Sequence, residues 1–255
     1  MQMPITDPVL KTLRMPGATL TTRLKVYDSP GPDGQRGGTP HIHLMCTEMY
    51  FVTGGSGAVE LIDTSGFSVV ELVPQSALVF SPGTIHRLIN PNGNLELFII
   101  MQNSGLPERG DNVVSFPDEL MQDDDAFRGA MRVSSPDEAY TRRNRGVEGF
   151  LQIKAAFAES ESAGQQVLQR FYEQANARTQ SLRDEWRSIV TGGALAEAQT
   201  SLQHLDALEN GSTQHLTQAR HFAIHADEHK TLGFCGRLNR YFDPATLALE
   251  GHVTG

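Results

Sequence analysis

Residues 40–57 read PHIHLMCTEMYFVTGGSG, and the spacing of their polar side chains decides the fold. His41 and His43 stand two apart in a β-forming run, so both imidazoles fall on one face of a strand. Glu48 follows His43 by five, an odd separation that a straight strand turns to the opposite face. Leu44 to Thr47 must therefore bend or cross to a neighbouring strand, which returns the carboxylate to the same interior. EMYFVT then runs as a strand into Gly54, Gly55 and Gly57, residues that permit a tight turn. Parity puts Glu48, Tyr50 and Val52 on one face of that strand.

Residues 81–90 read SPGTIHRLIN. The Ser81-Pro82-Gly83 turn aims His86 inward at the mouth of a later strand, and Arg87 then points away. Three imidazoles and one carboxylate suit a divalent ion and leave two positions open on six-coordinate metal. A purely structural zinc site more often has four Cys or His ligands and no open position. Nine histidines in 255 residues make an isolated HxH a weak signal, because a buried histidine is also a good hydrogen-bonded core residue.

Together the two strings resemble the two motifs of the cupin superfamily: a histidine pair, four residues, a glutamate and a glycine, then a glycine three before a histidine and an asparagine four after it. The resemblance spans roughly residues 17–102. Two positions depart from it, Ser81 where a proline is usual and Gly37 or Gly38 for the glycine before the histidine pair; neither removes a ligand. The resemblance implies a jelly-roll barrel with His41, His43, Glu48 and His86 on one divalent ion (Fe, Mn, Ni, Zn or Cu). It also implies a range of activities: dioxygenases, isomerases or epimerases, lyases, and non-catalytic sensing or binding modules. A dioxygenase acting on a small aromatic or largely apolar molecule is the leading expectation, because Leu78, Phe80, Leu88, Phe98 and Ile100 are the candidate lining. Glu48 and Tyr50 are the candidate catalytic residues.

Outward from these motifs the chain divides. TLTTRLKVY (residues 19–27) alternates as a half-buried strand, and SPGPDGQRGGTP (29–40) is a loop of breakers. Short runs follow, among them GAVELI, FSVVELV, SALVF and LELFIIM, separated by Gly/Pro turns, as in an all-β sandwich or barrel. The expected organisation is a jelly-roll barrel over 1–110, a connecting region over 111–157 with strands that can complete the barrel, and a helical extension over 158–245. In the connecting region Asp123, Asp124 and Asp125 lack EF-hand spacing and read as acidic surface. Arg142, Arg143 and Arg145 read as a solvated loop. GFLQIKAAF (149–157) suits a strand or the approach to a helix.

Leu168, Phe171, Ala175, Thr179, Leu182, Trp186 and Ile189 form one apolar stripe at helical spacing. Gly192-Gly193 breaks it, predicting an antiparallel hairpin with a second helix that carries Leu195, Ala198, Leu202 and Leu205 and stops at Asn210-Gly211. A third helix is expected from Ser212 or Thr213 toward Tyr241. It would carry His221, His225 and His229 on one polar face, without an HExxH motif.

The net charge of −9 argues against a nucleic-acid or anionic-membrane surface. Two cysteines, Cys46 and Cys235, make no disulfide framework. No stretch has the roughly 20 apolar residues of a membrane helix, and residues 1–8 lack a signal-like leader. The expectation is a cytoplasmic homodimer acting on a small molecule, the excess Leu/Phe/Trp stripe covering a second subunit.

Overall fold

The computed structural model describes residues 14–227 and 230–241, and these fold as two facing antiparallel sheets with helices on one side. The strands are β1 (Leu20–Val26), β2 (His41–His43), β3 (Glu48–Gly54), β4 (Gly57–Asp63), β5 (Gly66–Leu72), β6 (Ala77–Phe80), β7 (Ile85–Ile89), β8 (Glu96–Met101), β9 (Asn112–Val114), β10 (Thr231–Leu232) and β11 (Gly236–Tyr241). One sheet has the order β10-β11-β1-β8-β3-β6 and the other β5-β4-β7-β2-β9. This is a jelly-roll-like core, with the two sheets separately hydrogen-bonded. Alternation along β1 does what its sequence requires: Leu20, Leu24 and Val26 are buried while Arg23 and Lys25 face solvent.

The space between the sheets is filled by Leu24, Tyr50, Val52, Leu72, Leu88 and Leu97, among others. Each such side chain, fully buried, contributes about 1.5–3 kcal/mol of burial free energy. A second cluster lies on the outer face of the five-stranded sheet, where Ile42, Ile62 and Ile85 meet Phe150, Ile153, Leu168 and Phe171. Those aromatic and aliphatic groups come from α3 (Pro136–Glu159) and α4 (Glu161–Arg178), which follow the short helices α1 (Asp118–Met121) and α2 (Asp124–Met131). Ser135 and Glu138 form a reciprocal capping box at the start of α3, with Pro136 in its first turn. A Cβ at Gly149 would stand 2.2 Å from the Ser115 carbonyl oxygen, so this glycine lets α3 approach the β9 edge closely.

Several expectations need correction. The helical hairpin forms between α3 and α4 at Ser160, which ends one helix and caps the next by accepting the Ala163 N–H at 3.1 Å. Residues 149–157 are therefore helical. The stripe from Leu168 to Ile189 is split by the turn Gln180–Leu182 before α5 (Arg183–Val190). Gly192-Gly193 lies in a π-helical turn leading into α6 (Ala196–Glu209), with Gly193 kinked at φ −107°, ψ −106°. The third helix does not form: Gln214–Gln218 is one 3-10 turn, residues 219–227 and 230 have no regular structure, and the described residues after them form β10 and β11. His221 and His225 are exposed there and share no helix face, while His229 lies outside the described residues.

Arg142 and Arg143 are not a solvated loop. Both are buried on α3, where Arg143 donates to the carbonyls of Ser29, Pro30 and Gly37 and so pins the breaker-rich loop. Asp123 caps α2 by accepting the Ala126 N–H, and Asp123 to Asp125 are exposed. No helix of the described residues is long and apolar enough to cross a membrane.

Candidate metal centre

The site is built where the two sheets face each other. β2 lies between β7 and β9, with His41 opposite His86 and His43 opposite Asn112. Residues 44–47 then carry the chain across to β3 in the other sheet, as the odd spacing demands, and Glu48 and Tyr50 open that strand on its inner face. At the approach to β7, Gly83 adopts φ +86°, a left-handed conformation suited to glycine, and its N–H donates to the His43 carbonyl at 2.9 Å.

His41, His43 and His86 are each at least 95 % buried, and one ring nitrogen from each falls within 4.8 Å of the others. This three-histidine cluster can coordinate a metal ion. Hydrogen bonds set the tautomers. His41 Nδ1 lies 2.8 Å from the Thr39 carbonyl and His86 Nδ1 3.0 Å from the Thr84 carbonyl. A carbonyl only accepts, so each Nδ1 carries the proton and each Nε2 presents a lone pair inward. The two Nε2 atoms are 3.2 Å apart, an arrangement of facing lone pairs that a shared cation relieves. His43 Nε2 stands 3.2 Å from Glu48 Oε2, and His86 Nε2 stands 3.3 Å from the same oxygen. His43 Nε2 and Glu48 Oε2 are both buried without a hydrogen-bond partner. Buried polar atoms left unpaired in this way call for a partner, and imidazole nitrogens with a carboxylate beside them suit a divalent metal.

The electrostatics agree. Burial pulls the His41 pKa well down, with His86 and His43 adding to the fall. Burial likewise takes His86 to about 4 against the opposing charge of Glu48. His43 is the exception: burial lowers it, but Glu48 and Asp111 together lift it to about 9. The negative field between His43 and Glu48 thus calls for a positive charge. Burial and the charge of Glu48 raise the Tyr50 hydroxyl well above its ordinary value.

Asp111, in the stretch that the motifs leave unread, is the main functional residue missed from sequence. It is fully buried; its Oδ2 accepts from His43 Nδ1 at 3.0 Å and its Oδ1 from the Met45 N–H at 2.8 Å. One carboxylate therefore orients a histidine and holds the crossing bend. Its only signal in sequence is an acidic residue directly before the short strand β9. Also missed is the β10–β11 hairpin. Phe234 stacks on His41 with centroids 5.0 Å apart, and Cys235 Sγ lies 4.0 Å from His41 Nδ1.

A cavity of about 360 Å³ opens beside the histidines. Its apolar wall comprises Leu20, Leu24, Ile99, Met101 and Leu238, with Phe234 and Leu232 from the hairpin. Two expected lining residues are corrected here: Phe98 and Ile100 face outward. The register pairs Tyr50 with Ile99 and Glu48 with Met101, which turns the odd-numbered residues of β8 inward. Leu78, Phe80 and Leu88 lie in the core between the sheets but do not line this cavity. Glu60 and Arg87 point away from it, paired at 3.2 Å.

No family profile and no curated protein matches this sequence. Among solved structures the chain is similar to a conserved protein with a double-stranded beta-helix domain from Klebsiella pneumoniae, at 14% identity and TM-score 0.28 over 34% of this chain and 69% of that one. It is also similar to a TDP-fucose-3,4-ketoisomerase from Campylobacter jejuni, at 12% identity and TM-score 0.30 over 36% and 64%. A third is a cupin protein from Bacteroides fragilis, at 16% identity and TM-score 0.25 over 34% and 65%. Each likeness covers about a third of this chain, and the fold described above rests on strand order and register.

Proposed function

We propose that this protein is a metal-dependent enzyme of isomerase or lyase type, with His41, His43, Glu48 and His86 holding one divalent ion of Fe, Mn, Ni, Zn or Cu. The observation that carries the reading is the buried cluster of three histidine rings at the wall of a cavity, with the His43 and His86 Nε2 atoms 3.2 and 3.3 Å from the Glu48 oxygen. When bound, such an ion supplies Lewis acidity toward a substrate oxygen. The chain's own residues supply the proton traffic. Tyr50, held protonated, is a hydrogen-bond and proton donor at the cavity wall. Glu48 is the acceptor nearest to it on the same strand face. Phe234 and the apolar wall exclude water from the histidines, which strengthens every charge interaction inside.

The apolar wall favours a second reading, a dioxygenase acting on a small aromatic or largely apolar compound. Oxygen dependence separates the two. Metal-reconstituted protein is screened against phenolic, thiol and β-dicarbonyl compounds, and turnover is compared in air and under strict anaerobiosis. Equal rates support the isomerase or lyase, and loss of turnover without oxygen replaces it by the dioxygenase. Binding without conversion under both conditions assigns a sensor instead. In either enzyme the partner is a small molecule, not nucleic acid or membrane, in a cytoplasmic homodimer.

A further inference from the structure

We infer that two copies of this chain pair reciprocally, the leucine face of α6 in each lying on the outer face of the six-stranded sheet in the other. The inference rests on the homodimer proposed above and names its mating faces.

α6 is a helix of 14 residues, and none of them is buried. A helix of that length is marginal in water unless packing covers its apolar face. Leu202, Leu205 and Leu208 are 49–61% exposed. Asp206 and Glu209 follow Leu202 and Leu205 by four, so they flank the same face, and both are exposed. α6 has no Lys or Arg, and these two acids lie in its last turn, where the helix dipole disfavours them. Cations from outside the helix would offset that cost.

The outer face of the six-stranded sheet is the complement. Strand register sets Val79, Met49 and Ile100 in one cross-strand row and Ala77, Phe51 and Phe98 in the next. Val79 is 60% and Phe51 41% exposed, so this apolar block meets solvent in the single chain. It continues onto β1 and β11, where Arg23 lies opposite Phe98, Lys25 opposite Glu96 and Arg237 opposite Lys25, all three cations exposed.

Charge decides which faces meet. Two α6 faces brought together would set acid against acid, and two sheet faces would set cation against cation. Each α6 on the other copy's sheet instead places Asp206 and Glu209 against Arg23, Lys25 and Arg237, with leucine on the apolar block. A two-fold axis forms both contacts at once. The helix also starts in a suitable place: a Cβ on Gly193, just before α6, would stand 3.6 Å from Ala18 Cβ, just before β1. α6 thus leaves each copy at the margin of its own six-stranded sheet.

The test uses two variants of the full-length protein with exposed charges reversed: Asp206→Lys with Glu209→Lys on α6, and Arg23→Glu with Lys25→Glu on the sheet. Lysine suits the last turn of a helix, so the first variant keeps α6. Light scattering at micromolar concentration should give about 56 kDa for the unaltered protein, twice the 28.0 kDa of one chain. Each variant alone sets like charges across both contacts and should fall to one chain, its dissociation constant raised by about 100-fold or more. An equimolar mixture of the two variants restores opposite charges at both contacts and should return to about 56 kDa, which a misfolded variant could not do. Either variant dimeric by itself, or a mixture that stays at one chain, would overturn the inference. A dimeric α6 variant or a dimeric sheet variant would leave the homodimer standing on other surfaces, whereas a one-chain mass for the unaltered protein would remove the homodimer and the inference together.

Discussion

At the scale of single residues, the centre depends on groups that do not themselves face the cavity. His43 is oriented by Asp111, which also receives the Met45 and Cys46 N–H groups of the bend. Asp111→Asn keeps the shape but weakens this acceptor, and should lower metal affinity by about 10–100-fold while the protein stays folded. Competition with a chromophoric chelator measures it. Glu48→Gln removes the charge that neutralises the ion and should retain part of the metal while turnover falls by about 10²-fold or more. Tyr50→Phe should leave metal content unchanged and reduce turnover alone, because Tyr50 sits on the cavity wall and not in the donor set. The meeting of the three histidines with Glu48 is legible in the sequence because strand parity is a local property, and the odd step from His43 to Glu48 announces its own bend. Asp111 is not legible, since 68 residues separate it from His43 and only the fold brings them together.

At the scale of elements, two segments are held by buried charge. The loop before β2 is clamped where Arg87 donates to Asp33 at 2.7 and 2.9 Å. Arg87 holds the Asp33 pKa below its ordinary 3.8, outweighing burial, which raises it. A depressed carboxylate pKa means stability that is present above the ordinary value and lost as pH falls through the folded one. Asp33→Asn should therefore cost about 1 kcal/mol at neutral pH, discounted because Asp33 is partly exposed, and should remove this part of the acid destabilisation. Urea unfolding at pH 7 and pH 3 compares the two proteins.

The second segment is the β10–β11 hairpin, tied down by Arg142 and Tyr27 on the Gly233 carbonyl, with the Arg142 guanidinium 4.2 Å above Phe234. Arg142→Met should speed amide hydrogen exchange in residues 233–236. Unchanged protection there would show that the hairpin needs no such anchor. The third-helix expectation fails at this segment for a physical reason. Residues 236–241, GRLNRY, alternate with period two, and β1 offers an edge that hydrogen bonding fills more favourably than a lone helix would. Sequence cannot show an edge left waiting about 210 residues upstream.

For the whole molecule, both sheets and the helical addition follow from patterns visible in the chain, while their junctions do not. The helical hairpin turns at Ser160 because a capping serine and the close packing of α3 on β9 outweigh a pair of glycines. Gly192-Gly193 is accommodated as a kink. Downstream of that kink, Leu195 at the end of the π-helical turn and Leu202, Leu205 and Leu208 on α6 are 45–61% exposed, apolar surface that supports the homodimer proposal. Light scattering should then report about 56 kDa, twice the 28.0 kDa of one chain, and Leu202→Glu should return it to one chain. A single-chain mass for the unaltered protein at micromolar concentration would contradict it.

The central claim, that three histidines and Glu48 hold one metal ion, is tested most directly by elemental analysis of tag-free protein beside its His86→Ala variant, both passed through the same desalting step. The account predicts about one equivalent of a first-row divalent metal per chain in the unaltered protein and a loss of most of it in the variant, whose circular dichroism should match. Stoichiometric metal in both proteins, or in neither after incubation with Fe, Mn, Ni, Zn and Cu, would contradict it.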